Sequence, residues 1–192
     1  MISALVLLGY LAGSIPFGVL LTRWLRGVDV RQSGSGNIGA TNVTRVAGKK
    51  LGAVVLVLDA LKGALPVVLA LRLMPEQPVV HVSVGLAAVL GHVYPVWLKL
   101  QGGKGVATAL GVLLVLVPLA ALAAGVVYVA ILAVWRVSSL GSLAAGATAV
   151  GMSAYTAPAV EYAGLSALLF VLMLWTHRGN IVRLARRTER RF

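Results

Sequence analysis

The sequence contains no cysteine, which removes disulfides, iron–sulfur clusters and thiolate zinc sites at once. Acidic residues are almost as scarce, with five Asp and Glu in 192 residues. Asp29, Asp59 and Glu189 lie far apart in the chain, and no paired-carboxylate centre suggests itself. That argues against two-metal phosphoryl transfer. No Gly-x-Ser-x-Gly elbow occurs either. Aromatic residues are 6% of the chain and almost none stand in its polar stretches. A nucleic-acid binder would interleave them with its cations, so no nucleic acid is expected as a partner. Charge as a whole is thin: 11% of residues, against about 25% in a soluble domain.

What is present is apolar length. The chain is 59% hydrophobic, organised in long runs at about 2–21, 51–71, 79–98, 106–135, 139–157 and 160–176. The first run lacks a basic n-region and reads as a span rather than a cleaved leader. Residues 106–135 carry no charge and exceed the roughly 20 residues one helix needs to cross. They read as one tilted helix or as a helical hairpin turning near Pro118. Charge parity decides between the two. With the hairpin there are seven spans, and the 22–50 loop, Lys99, Lys104, Arg136 and the arginine-rich tail share one side. That side then holds fifteen of the seventeen cations. Arg72 lies opposite and Lys62 lies within a span. By the positive-inside rule the cation-rich side is cytoplasmic. The expected architecture is all-α, a polytopic transmembrane helix bundle of seven spans. Its N-terminus is outside and its C-terminus cytoplasmic. It forms one domain over 1–192, with no internal repeat. The net charge of +12 then faces anionic headgroups and anionic substrates. Segment 181–187 reads equally as a surface-lying basic helix or as a solvated tail.

The polar chemistry falls in the cytoplasmic loops. The first cluster is Ser33-Gly34-Ser35-Gly36-Asn37-Ile38-Gly39-Ala40-Thr41-Asn42-Val43-Thr44-Arg45. It contains a literal G-x-G-x-x-G, but a span precedes it and no βαβ unit surrounds it, so the dinucleotide fingerprint fails on context. The same residues suit a phosphate. Glycines let the backbone approach an anion, Ser35, Asn37, Thr41 and Asn42 add neutral donors, and Arg45 adds a planar fork. The second cluster is Gly102-Gly103-Lys104-Gly105-Val106-Ala107-Thr108. It is not a P-loop, because Gly105 stands where Ser or Thr must follow the lysine. The physics is related: a glycine-rich turn with a cation at a helix N-terminus. The third is His177-Arg178-Gly179-Asn180-Ile181-Val182-Arg183, after the last span. Asp59 and Lys62 are one helical turn apart within a span and are expected to pair as structural support. His81 and His92 are expected to pack or hydrogen-bond rather than hold a metal, since the sequence sets no carboxylate or cysteine beside them.

Together and in this order, the three clusters resemble the acyl-phosphate-dependent glycerol-3-phosphate acyltransferases of bacterial membranes. The Leu58-Asp59-x-x-Lys62-Gly63 segment fits that family too, and the likeness runs over essentially the whole chain. The His-x4-Asp arrangement of other glycerolipid acyltransferases is absent. The resemblance implies transfer of a fatty acyl group from acyl-phosphate to the 1-hydroxyl of glycerol 3-phosphate, giving lysophosphatidic acid and phosphate. It implies no cofactor or metal, membrane lipids as surroundings, no required protein partner, and a bacterial inner-membrane site facing the cytoplasm. Lys104, Arg45, His177, Asn180 and Ser35 are then the catalytic candidates. Gly34, Gly36, Asn37, Gly39, Thr41, Asn42, Gly102, Gly103, Gly105, Thr108, Ser142 and Arg178 are the substrate-binding candidates. A carrier for a phosphorylated metabolite is the rival reading. It predicts polar groups at mid-membrane in repeated halves, which the sequence does not show.

Overall fold

Pro16 shapes the first apolar run. It lacks an amide proton and disfavours helix at the residue before it. In the computed structural model, which describes residues 1–192, α1 (Ile2–Gly13) accordingly stops short of it and α2 (Phe17–Arg26) restarts after it. The Ser14 N–H and hydroxyl both donate to the Tyr10 carbonyl, at 2.9 and 2.8 Å, closing the last turn of α1. Arg23 and Arg26 sit in the last turn of α2, where cations favour the helix dipole, and Gly27 ends it at φ +66°.

The 22–50 stretch is more ordered than a connecting loop. After α2 come a 3-10 turn (Val30–Gln32) and α3 (Ala40–Ala47). Val19, Val30, Ile38, Val43, Leu51 and Val55 form a buried cluster beneath them. Then follow α4 (Lys49–Leu73), α5 (Pro78–Val93), a 3-10 turn (Val96–Leu98) and α6 (Val106–Leu116). The remainder is α7 (Pro118–Trp135), α8 (Ser138–Thr156), α9 (Val160–Thr176) and α10 (Arg178–Ala185). There are no strands.

The chain falls into two compact units, Met1–Val112 and Leu113–Phe192. In the first, small residues let helices approach closely. Gly13 of α1 meets the Ala88 backbone of α5, and Gly63 and Gly111 seat α4 and α6 on each other at Thr108 and Ala60. In the second, α7 and α8 share a Tyr128–Ser138 hydroxyl contact of 2.9 Å. The hydroxyls of Ser153 and Ser166 join α8 to α9 at 2.8 Å. Small residues and hydroxyl bonds are what hold helices together where lipid removes the hydrophobic drive. Outward faces carry apolar side chains such as Leu65, Leu119, Val126 and Val171.

Four stretches are long and apolar enough to cross a bilayer: Ile2–Arg26, Lys49–Leu73, Pro78–Leu98 and Pro118–Trp135. A fifth exists if α9 and α10, bent by 64°, count as one. The uncharged 106–135 run is two helices, divided at Val117, with Pro118 in the first turn of α7. α6 has only 11 residues, about 16 Å of helix against a hydrocarbon core of about 30 Å. α8 has 19 residues but is rich in Gly, Ala and Ser, so its apolar character is weaker.

Candidate active site

Asn42 organises the first loop. Its side chain is 1% exposed, and its amide is engaged on both sides. Oδ1 accepts from the Ser35 N–H at 2.8 Å. Nδ2 donates to the carbonyls of Val30, Ser33 and Asn37 at 3.0, 3.0 and 2.9 Å. Gly34 and Gly36 turn the chain around it at φ +63° and +73°, a region open to glycine. Asn37 accepts from the Gly39 N–H at 2.9 Å, an Asx turn that launches α3. Ser35 is left exposed at the loop's tip. α3 has no side-chain cap, and Thr41 and Arg45 lie one turn apart on its partly exposed face. Asp29 braces the loop's start through Arg23 and Arg31, each at 2.6 Å. The Arg31 hydrogen bonds hold its carboxyl well below the usual range, so it is an anion already in use and not a base.

The second loop is pinned to the end of α5. The N–H groups of Gly102 and Gly103 donate to the carbonyls of Val93 and His92, both at 3.0 Å. Leu98, just upstream, packs against the cluster under the first loop. Gly105 turns at φ +81° and its carbonyl accepts from Ala109, opening α6. Lys104 is half-buried and Thr108 fully buried. Beneath this loop, Asp59 and Lys62 pair at 2.7 Å, as their spacing predicted. His92 is not without a carboxylate, contrary to expectation: its Nδ1 stands 3.7 Å from Asp59 Oδ1. His81 bonds the Met74 carbonyl at 2.8 Å.

In the second unit, His177 joins α9 to α10 and is 2% exposed. Its Nδ1 lies 2.9 Å from the Met173 carbonyl. A carbonyl only accepts, so Nδ1 carries a proton in this contact. Asn180, also buried, donates to Glu189 at 2.6 Å, and Arg183 reaches the same carboxylate at 2.8 Å. Burial pushes the Glu189 carboxyl up, but the bonds from Asn180 and Arg183 outweigh it and hold it below the ordinary range. The tail is thereby folded back, with the Phe192 N–H on the Arg136 carbonyl at 2.8 Å.

Three of the candidates sit in settings that residue type alone did not show. Asn42 spends its amide on the loop's own backbone, so it shapes the loop instead of offering a donor. Arg178 is exposed, donates to the Trp175 carbonyl at 2.9 Å and stacks 4.4 Å over that ring. It is therefore a surface residue. Ser142 lies in the first turns of α8 and donates to the Ser138 carbonyl at 3.0 Å.

A family model for glycerol-3-phosphate acyltransferase matches residues 3–187. A glycerol-3-phosphate acyltransferase of Myxococcus xanthus (strain DK1622) is 88% identical over 192 residues, covering all of both chains. The chain belongs to the glycerol-3-phosphate acyltransferase family. Another such acyltransferase, from Anaeromyxobacter sp. (strain Fw109-5), is 53% identical and covers 97% of this chain and 94% of its own. Two crystal structures of PlsY (YgiH), an integral membrane glycerol 3-phosphate acyltransferase, superpose on the whole chain and 95% of theirs at 42% identity. One is the glycerol 3-phosphate form, with a TM-score of 0.92. The other is the lysophosphatidic acid form, at 0.91. Among acyltransferases of this family the chain is thus an all-helical integral membrane protein. Sequence reasoning passed over Glu189 and the His92–Asp59 approach. One signal was available for the first: Glu189 is the only acid in a tail with six arginines.

Proposed function

We propose that this acyltransferase moves a fatty acyl group from acyl-phosphate to the 1-hydroxyl of glycerol 3-phosphate. Lysophosphatidic acid and phosphate are the products. The observation that carries the reading is whole-chain likeness at 42% identity to an enzyme solved in glycerol 3-phosphate and lysophosphatidic acid forms. The loops suit that chemistry. Both substrates bear phosphate, and their mutual repulsion must be offset by cations and N–H dipoles. Arg45, Lys104, His177 and Asn180 are assigned mainly to glycerol 3-phosphate. The glycines at 34, 36, 39, 102, 103 and 105, with Ser35, Asn37, Thr41 and Thr108, are assigned mainly to acyl-phosphate, and Ser142 is a weaker candidate.

In the transfer, the substrate hydroxyl oxygen bonds to the acyl carbon and the acyl–phosphate C–O bond breaks, with the electron pair leaving on phosphate. Lys104 neutralises that departing charge. The hydroxyl proton goes either to an oxygen of the leaving phosphate or to His177 Nε2. The first needs only positioning by the protein. The second takes the proton at Nε2, because Nδ1–H is held on the Met173 carbonyl.

The reading includes one domain over 1–192, supported by a family model that runs through both units. It includes seven spans, an outside N-terminus, and loops facing the cytoplasm across a bacterial inner membrane. Support comes from the charge bias and from the four tryptophans. Trp24, Trp97, Trp135 and Trp175 are all exposed, and each stands within three residues of an Arg or Lys at a helix end. Exposed Trp beside cations marks the membrane interface. No protein partner or metal is required. The test is product formation by the purified protein in lipid with glycerol 3-phosphate and either acyl-phosphate or acyl-CoA. Lysophosphatidic acid from acyl-phosphate alone is expected. Turnover only with acyl-CoA overturns the donor assignment.

A further inference from the structure

The mechanism leaves one buried cluster unused. Asp59, Lys62 and His92 are 2%, 5% and 3% exposed, and α4 and α5 bring them together within the first unit. Lys62 Nζ lies 2.7 Å from Asp59 and also donates to the Ile15 carbonyl at 2.8 Å, at the break between α1 and α2. His92 Nδ1 faces the same Asp59 oxygen at 3.7 Å. The other edge of the ring points at the second loop. A Cβ placed on Gly103 would collide with His92 Nε2, and the Gly103 N–H donates to the His92 carbonyl at 3.0 Å. Ring and backbone of one residue thus set the height and direction of Gly103, the residue before Lys104. An apolar side chain would fill the space equally well. At 3.7 Å the Nδ1–Asp59 approach is longer than a hydrogen bond, but a buried ring nitrogen facing a carboxylate that Lys62 holds gives the ring a polar edge on that side that an apolar side chain lacks.

We infer that His92 is a positioning residue: seated on the Asp59–Lys62 pair, it holds Gly103 so that the Lys104 ammonium meets the phosphate of glycerol 3-phosphate. The inference rests on the acyltransferase reading. His92 touches no substrate and acts through the loop. Gly103 is explained by the same contact, since any side chain there displaces the ring.

The test is steady-state kinetics in lipid for His92→Ala, Gly103→Ala, the double variant and His92→Asn, with thermal melts alongside. Removing His92 leaves Asp59 paired with Lys62, so no buried charge is stranded and the fold is expected to persist. Misplacement of a binding group by about 1 Å costs up to on the order of 100-fold. His92→Ala is therefore expected to raise KM for glycerol 3-phosphate roughly 10- to 100-fold and, because glycines of the same loop are assigned to acyl-phosphate, KM for acyl-phosphate by a clearly smaller factor, at an unchanged melting point. His92→Asn keeps a nitrogen near Asp59 and is expected to recover part of the loss. Gly103→Ala is expected to resemble His92→Ala, and the double variant to be no worse than either, because the collision needs the ring. Should His92→Ala fail to fold, Gly103→Ala and His92→Asn carry the test. Wild-type KM in the folded variants overturns the inference. So do equal rises in both KM values with a lowered melting point, or losses that multiply in the double variant. Absence of any wild-type turnover instead overturns the acyltransferase reading, and the inference with it.

Discussion

Replacing Asn42 by alanine removes one side chain and four hydrogen bonds, to the Ser35 N–H and to the carbonyls of Val30, Ser33 and Asn37. Each is worth about 1 kcal/mol net. Nδ2 has two protons for its three carbonyls, so the loss amounts to about three full bonds, about 3 kcal/mol, or roughly two decades in the loop's folding equilibrium. Ser35 is exposed, so water replaces part of that loss at the tip. The expected fall in kcat/KM is therefore about 10- to 100-fold, with the apolar helices and the thermal midpoint of the body little affected. If Asn42 shapes the loop, the defect exists before substrate binds. Amide hydrogen exchange on the substrate-free protein checks this, because the Ser35 N–H loses its acceptor in the variant. A variant with wild-type Ser35 protection, or kcat/KM within about threefold of wild type, refutes the reasoning. Normal protection with raised KM alone returns Asn42 to direct substrate contact.

Three further outcomes are expected. Asp59→Ala strands Lys62 in the membrane and should destabilise by roughly 3–5 kcal/mol, while the Asp59→Leu/Lys62→Leu double variant melts near wild type. Comparative thermal melts decide it, and equal melting points for the two variants contradict it. Glu189 has its carboxyl depressed below the ordinary 4.5, so it stabilises the folded tail above that value. That contribution disappears as pH falls through the lower folded value. Exchange protection of the tail, corrected for intrinsic rates, should thus be flat from neutrality to about pH 5 and drop below. Glu189→Gln should lack that pH-dependent drop, and an unchanged profile sinks the account. His177→Ala separates the two proton acceptors. Near-complete loss of kcat with substrate binding intact favours Nε2 as base, and raised KM with substantial kcat assigns the proton to phosphate.

The loops were legible because phosphate narrows the choice of residues. Glycine, small amides, hydroxyls and a guanidinium or ammonium are what an anion at a membrane surface requires, and they stand together in sequence. Residue type does not say where a donor points, so Asn42 read as a ligand donor although its bonds go to its own loop. Glu189 and Asn180 are nine residues apart around a reversal of the tail. Asp59 and His92 lie on different helices. Neither contact has a spacing pattern in the sequence, although a single acid among six arginines does mark Glu189. The helical pairing of Asp59 with Lys62 was legible because one turn of α4 suffices. The break at Pro16 followed from proline chemistry, but the apolar run concealed it. The division at Val117 was visible as an alternative because Pro118 marks it. Helix length was not, since 11 residues of α6 are as apolar as their neighbours.

The most direct test supplies the purified protein in lipid with acyl-phosphate and labelled glycerol 3-phosphate, with and without a metal chelator, and counts both products. The account expects phosphate and labelled lysophosphatidic acid in equal amounts, no phosphate without glycerol 3-phosphate, and no effect of the chelator. Phosphate released without glycerol 3-phosphate, or label crossing vesicles without being acylated, would contradict it.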